Sequence, residues 1–153
     1  MTAQDSSTQY FLEKARRYCD FQERTIAEVR QKLKSWSVSD AQIIKIITQL
    51  EEEDMINEER FARAYALGKM RNNRWGRNKI MAGMFNKGLS ELMIQVGLSE
   101  IEEEEYREIL TKVLASKKIN ESDPYKYRVK LAQYALQKGF QSNLIWEIIN
   151  EMQ

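Results

Sequence analysis

Between residues 69 and 79 the chain reads Lys69-Met70-Arg71-Asn72-Asn73-Arg74-Trp75-Gly76-Arg77-Asn78-Lys79, five cations around one tryptophan. Guanidinium groups fork phosphate oxygens, and an indole offers a face for stacking. The segment reads as a polar connector entering a helix, whose first turn already carries positive partial charge from the aligned peptide dipoles. Cations placed there need an anion nearby. Either a polyanionic partner or the glutamates at Glu51–Glu53 and Glu102–Glu105 can supply it, and the spacing alone leaves both open. A second basic set comprises Lys126, Arg128, Lys130 and Lys138. Lys126 and Lys130 share one helix face with Gln133 and Gln137, at i, i+4, i+7 and i+11. With Lys87, the candidate partner- or DNA-binding residues are Arg71, Arg74, Trp75, Arg77, Lys79, Lys87, Lys126, Arg128, Lys130 and Lys138.

Other chemistries are poorly represented. The chain has no histidine, which removes the usual general base, the nucleophile pairs built on it and any histidine-containing zinc site. Gly76, Gly83 and Gly88 form neither nucleotide-binding fingerprint. Glu102–Glu105 point in different directions on a helix and lack the spacing of a calcium loop. No catalytic residue, metal or cofactor is therefore assigned, and an enzyme is not expected. Cys19 is the single cysteine, too few for an internal disulfide and suited to a reducing compartment. The opening residues lack a secretory signal pattern, and no apolar run approaches the ~20 residues of a membrane span. A cytoplasmic location is the expectation.

Net charge is only +1, but its distribution is blocked. Residues 51–60 carry six acids and one base, whereas residues 61–90 carry seven bases and no acid. Residues 91–108 return to seven glutamates and one arginine, and residues 112–138 to seven bases and two acids. Blocks of this length predict surfaces of opposite sign on one molecule.

The elements that must position these groups read as helices. The chain has one proline and six glycines, and its apolar residues recur three and four apart, as in Ile43, Ile46, Ile47 and Leu50. Ser39–Gln42 and Ser99–Glu102 match the capping box, and Asp123-Pro124 a cap followed by proline in the first helical position. Gly88 and Gly139 read as left-handed helix stops. Most aromatic residues, among them Tyr10, Tyr18, Trp36 and Tyr106, are expected in the core.

Those two glycines belong to an internal repeat with an offset of 51 residues. Arg77, Lys79, Ile80, Met84, Lys87, Gly88 and Leu89 align with Arg128, Lys130, Leu131, Ala135, Lys138, Gly139 and Phe140. A further shift of 51 places Val29, Leu33, Val38 and Ile43 in the same apolar pattern, with Ser37 in the glycine position. The expectation is an all-α protein of three tandem three-helix repeats in an elongated, curved array. The units are set at 1–53 (a degenerate copy), 54–98 and 99–153. Arg60, beside a run of acids, is expected to bridge carboxylates between helices and to serve stability.

Ile56-Asn57-Glu58-Glu59-Arg60-Phe61-Ala62-Arg63-Ala64-Tyr65 resembles the acidic-Arg-Phe-Ala-x-x-Tyr helix of the RecX regulatory proteins. Gly76-Arg77-x-x-Ile80-x3-Met84-x-x-Lys87-Gly88-Leu89 is similar to that family's second conserved element. Arg24-Thr25-x3-Val29-x3-Leu33 and Gln137-Lys138-Gly139-Phe140 fit its first and last modules, so the resemblance spans about residues 10–152. Departures are Ser37 in place of glycine and a glutamate pair before Arg60. The resemblance implies a bacterial, cytoplasmic, non-enzymatic regulator of the RecA recombinase that takes no small-molecule substrate. Such a protein lies in the groove of the RecA–DNA filament and restrains filament growth, ATP hydrolysis and strand exchange in DNA repair and recombination. Two other readings remain: a direct single- or double-stranded DNA-binding module of helix-turn-helix type, and a purely structural helical adaptor.

Overall fold

The computed structural model describes residues 2–152; Met1 and Gln153, which end the first and third expected units, lie outside them. The described residues form nine helices and no strand. They fall into three triplets: α1 (Ala3–Phe21), α2 (Ile26–Ser35) and α3 (Asp40–Glu52); α4 (Glu58–Asn73), α5 (Arg77–Asn86) and α6 (Glu91–Leu98); α7 (Glu103–Ser116), α8 (Pro124–Gln137) and α9 (Ser142–Glu151). Local chemistry explains most starts. Thr25 with Glu28 and Ser39 with Gln42 close reciprocal capping boxes, and Asp123 caps α8 ahead of Pro124.

The box expected at Ser99–Glu102 does not form. Helix α6 continues to Leu98 and Ser99 is its C-cap, while α7 starts after Glu102, which makes no side-chain cap. The physical reason is Ile101. It is buried, and its N–H bonds the Leu98 carbonyl, so the connector folds inward to seat it before the next helix begins. Ser90 caps the N-terminus of α6 instead.

The middle helix of every triplet ends in the same way. Ser37, Gly88 and Gly139 lie at φ of 61°, 84° and 98°, all left-handed. Behind them the N–H groups of Val38, Leu89 and Phe140 reach back to the carbonyls of Leu33, Met84 and Ala135 at 3.2 Å. This is the paired helix-end motif that a left-handed residue permits. The aligned apolar positions are buried alike: Val29, Ile80 and Leu131, then Leu33, Met84 and Ala135, then Ile43, Ile94 and Ile145.

The triplets differ in how they join. The second and third share one continuous core, from Phe61 and Met70 through Ile80 and Tyr106 to Phe140 and Ile149. The first closes a core of its own from Leu12, Ala15, Val29, Leu33, Ile43, Leu50 and Ile56. Its junction with the second is polar. Arg60 spans Glu23 (2.7 Å) and Asp54 (2.9 Å), Lys87 meets Glu28 (3.1 Å), and the Ile26 N–H bonds Glu58 (3.4 Å). Arg60 does bridge carboxylates, with Glu23 from the first triplet as its nearest. The chain exposes 9,234 Å², against about 8,100 Å² for a compact monomer of its mass. That excess fits an elongated row.

Tyr10 corrects an expectation, being 58% exposed. The face of α1 that packs inward carries Leu12, Ala15 and Cys19, and Tyr10 lies outside that stripe.

Candidate functional site

The ten basic and aromatic candidates separate into groups with different neighbours. Arg71 sends Nε and Nη2 to the two oxygens of Glu105 at 2.8 and 3.0 Å, a bidentate pair that holds the Glu105 carboxyl below the ordinary carboxylate range. Arg77 bonds Glu103 at 2.9 Å and lies 4.0 Å from the centroid of the Tyr106 ring. Its backbone N–H donates to the Tyr106 hydroxyl, which donates in turn to Gln141 Oε1 at 2.5 Å. Lys87 pairs with Glu28, and Lys130 with Glu121 at 2.9 Å. Glutamates of the chain itself therefore neutralise these four. Lys126 is exposed, and Arg128 lines a cleft with Leu114, Tyr127, Leu131 and Met152, away from the others.

The remaining candidates converge where the second triplet meets the third. Helix α4 stops at Arg74, which takes a left-handed conformation (φ 55°, ψ 45°) and turns the chain into α5. Two backbone bonds then lock the triplets together: Gly76 N–H to the Lys138 carbonyl at 2.8 Å, and Asn78 N–H to the Gly139 carbonyl at 2.9 Å. A Cβ at Gly139 would stand 2.4 Å from Lys79 Cβ, so only glycine permits this approach at φ 98°. The contact gathers Arg74, Lys79 and Lys138. Lys138 Nζ donates to the Asn73 carbonyl at the C-terminal end of α4 (2.9 Å). Burial first, then the charges of Lys79 and Arg74, lowers its pKa from the ordinary lysine value. Lys69 and Lys79 hold their ammonium groups 4.8 Å from the centroid of the Trp75 ring. Each contact of this kind is worth about 0.5–1 kcal/mol at an exposed site.

The repeat offset makes the charge at this place informative. Glu28 and Lys87 meet across the first junction as an ion pair, and their equivalents across the second are Lys79 and Lys138, two like charges. Arg74, Lys79, Lys69 and Lys138 make no ion pair with a carboxylate among the described residues. Lys69, part of the basic segment but outside the ten candidates, belongs to the cluster through its contact with Trp75; a lysine six residues before a tryptophan across a helix end gives no periodic signal. The arrangement suits a phosphate or carboxylate ligand. No cluster of three or more metal-ligating side chains occurs among the described residues, and no helix there is long and apolar enough to cross a membrane.

Comparison with known proteins agrees with the triplet order. Models of the first, second and third three-helix domains of RecX match residues 12–50, 57–98 and 103–149 in turn. Proteins named Regulatory protein RecX from Clostridium perfringens (strain 13 / Type A) and Clostridium botulinum (strain Alaska E43 / Type E3) are 33% and 32% identical over 134 and 133 residues. Each alignment covers 84% of this chain, and 62% and 61% of the relative. The chain thus spans about three-fifths of the length of these curated relatives. The crystal structure of RecX from Lactobacillus salivarius superposes with a TM-score of 0.89 over 96% of this chain and 97% of that one, at 24% identity, a likeness of fold. Three consecutive domain matches in the order of the three triplets show that the chain belongs to the RecX family.

Proposed function

We propose that the chain is a negative regulator of the RecA recombinase. It binds in the groove of the RecA–DNA filament and restrains filament growth, ATP hydrolysis and strand exchange, in the bacterial cytoplasm and without catalysis of its own. Family membership supports the partner, and the relatives' printed name supports a regulatory role. The observation that carries the chemistry is the like-charge cluster of Arg74, Lys79 and Lys138. A filament of protein on DNA offers anionic groups at regular intervals, and an elongated row of units, with working boundaries at 53/54 and 98/99, reaches several of them.

The test is RecA ATPase on single-stranded DNA, titrated with this protein well below the RecA concentration. Inhibition is expected, and no effect at excess protein overturns the reading. Reversing Arg74, Lys79 and Lys138 together to glutamate should weaken inhibition tenfold or more, since ~1.4 kcal/mol is a factor of ten. A folded triple variant that inhibits like the parent leaves the cluster as solvated surface.

A further inference from the structure

Helix α5 is apolar on two sides. Ile80 and Met84 are buried in the core, while Met81 and Phe85, one turn apart, are 36% and 72% exposed. They line a groove of about 690 Å³ between α5 and α6, to which α6 contributes Ile94. Leu92, 69% exposed and one turn before Gln95 of the same groove, extends the apolar surface along α6. The fold does not require apolar groups at these places. The 51-residue offset puts Arg30, Lys34 and Ala41 at the same three positions of the first triplet, where both cations are exposed. In the third triplet the equivalents are Ala132, Leu136 and Asn143. Met81, Phe85 and Leu92 therefore belong to the surface of the second triplet rather than to any demand of its core.

We propose that this groove is the contact face of a two-fold symmetric dimer, its occupant a second copy of the same chain. Of the ten residues that line it only Glu91 is charged, on a chain in which 31% are. A polyanion finds no cation among them. A nearly neutral surface meets itself without the like-charge repulsion that the acidic and basic blocks elsewhere on the chain would impose. The polar groups suit a self-match as well. Asn78, Asn86 and Gln95 are exposed, and their side-chain amides make no hydrogen bond among the described residues. An amide carries donor and acceptor together, so it can pair with its own symmetry mate.

The apolar area is sufficient for a stable contact. A large apolar or aromatic residue presents on the order of 200 Å². At their exposures Met81, Phe85 and Leu92 offer roughly 350 Å² per copy, or about 700 Å² across two copies. A standard interface buries about 1,200–2,000 Å², of which about 57% is apolar. These three side chains thus supply the apolar share at the lower end of that range, before Ala82 and the amides are added. A contact that uses the same patch on both copies closes at two and does not propagate.

The test needs no RecA, so the dimer and the regulatory reading stand or fall separately. Sedimentation equilibrium of the parent protein over about 1–100 μM should show monomer and dimer in exchange, with no larger species. Met81→Arg with Phe85→Lys installs the residues that the first triplet carries at these positions. That variant should keep the parent's helical circular dichroism, and its dimer should be weaker tenfold or more. Ile44→Lys charges an apolar residue of α3 that is 68% exposed, and should leave the equilibrium unchanged. A parent that stays monomeric throughout, a series that grows past two, or a dimer unmoved by the double variant overturns the proposal. Equal weakening by Ile44→Lys overturns it too. Should the double variant fail to fold, Leu92→Glu decides by the same tenfold criterion.

Discussion

Glu53 shows how a single half-buried residue gains weight from its partners. Arg16 grips it with Nε and Nη2 at 2.8 and 2.6 Å, fastening α1 to the end of α3, and Gln49 adds a third bond at 2.7 Å. These bonds, the Arg16 one foremost, hold its carboxyl at about 2, below the ordinary 4.5. The folded state therefore favours the ionised form, so the stabilisation is present above pH 4.5 and lost as pH falls towards 2. Glu53→Gln should melt below the parent at neutral pH, and the two melting curves should converge by about pH 2. Tyr106 has the opposite setting, fully buried with its hydroxyl between the Arg77 N–H and Gln141. Tyr106→Phe leaves both partners unmatched and should lower unfolding free energy by about 1–3 kcal/mol in urea titration. Cys19 is pushed up to about 11, chiefly by burial. It should resist thiol reagents at pH 8 until the first triplet opens.

At the scale of the element, the left-handed ends of the three middle helices are one device with two loads. Ser37 occupies the conformation as an exposed residue, where its Cβ carries the strain of φ 61°. Ser37→Gly should stabilise the protein by about 1 kcal/mol, read as a shift in denaturation midpoint with unchanged slope. Gly139 carries a junction as well as a turn. Gly139→Ala combines strain at φ 98° with a Cβ driven against Lys79, and should destabilise far more than the serine exchange stabilises. It should also disturb the placement of Lys79 and Lys138, so the inhibition of RecA proposed above should weaken even in protein that remains folded.

At the scale of the molecule, the unlike junctions predict unlike stability along the row. Burial of Tyr106, Phe140 and Ile80 in one core ties the second and third triplets into one cooperative unit. The first triplet is held to them by ion pairs at the surface, typically worth about 0.2–1 kcal/mol each. Native-state hydrogen exchange should therefore show α1–α3 opening at lower free energy than α4–α9. Arg60→Ala removes the pair with Glu23 and should speed exchange in α1–α3 several-fold, with α4–α9 unchanged. High salt should act in the same direction.

What the amino-acid order determined by itself is what acts within a turn or two of helix. Apolar spacing named the helices, Ser39 and Asp123 named two starts, and the recurring lysine-glycine pair revealed both the repeat and its left-handed ends. Residue 99 escaped because the burial of Ile101, a tertiary demand, outweighed a well-formed capping signal. Only the tertiary structure decided which cations are spent. Arg71 finds Glu105 34 residues away, Lys87 finds Glu28 at 59, and Lys138 finds the Asn73 carbonyl at 65. Such pairings depend on how one triplet is turned against the next, a rotation set by side-chain fit at the junctions and carried by no local signal. The same rotation left Lys79 beside Lys138, and the packing of α5 on α6 brought Met81 and Phe85 to one groove with Ile94. Sequence could display those charges and apolar groups; proximity, which turns them into surfaces, is a property of the fold.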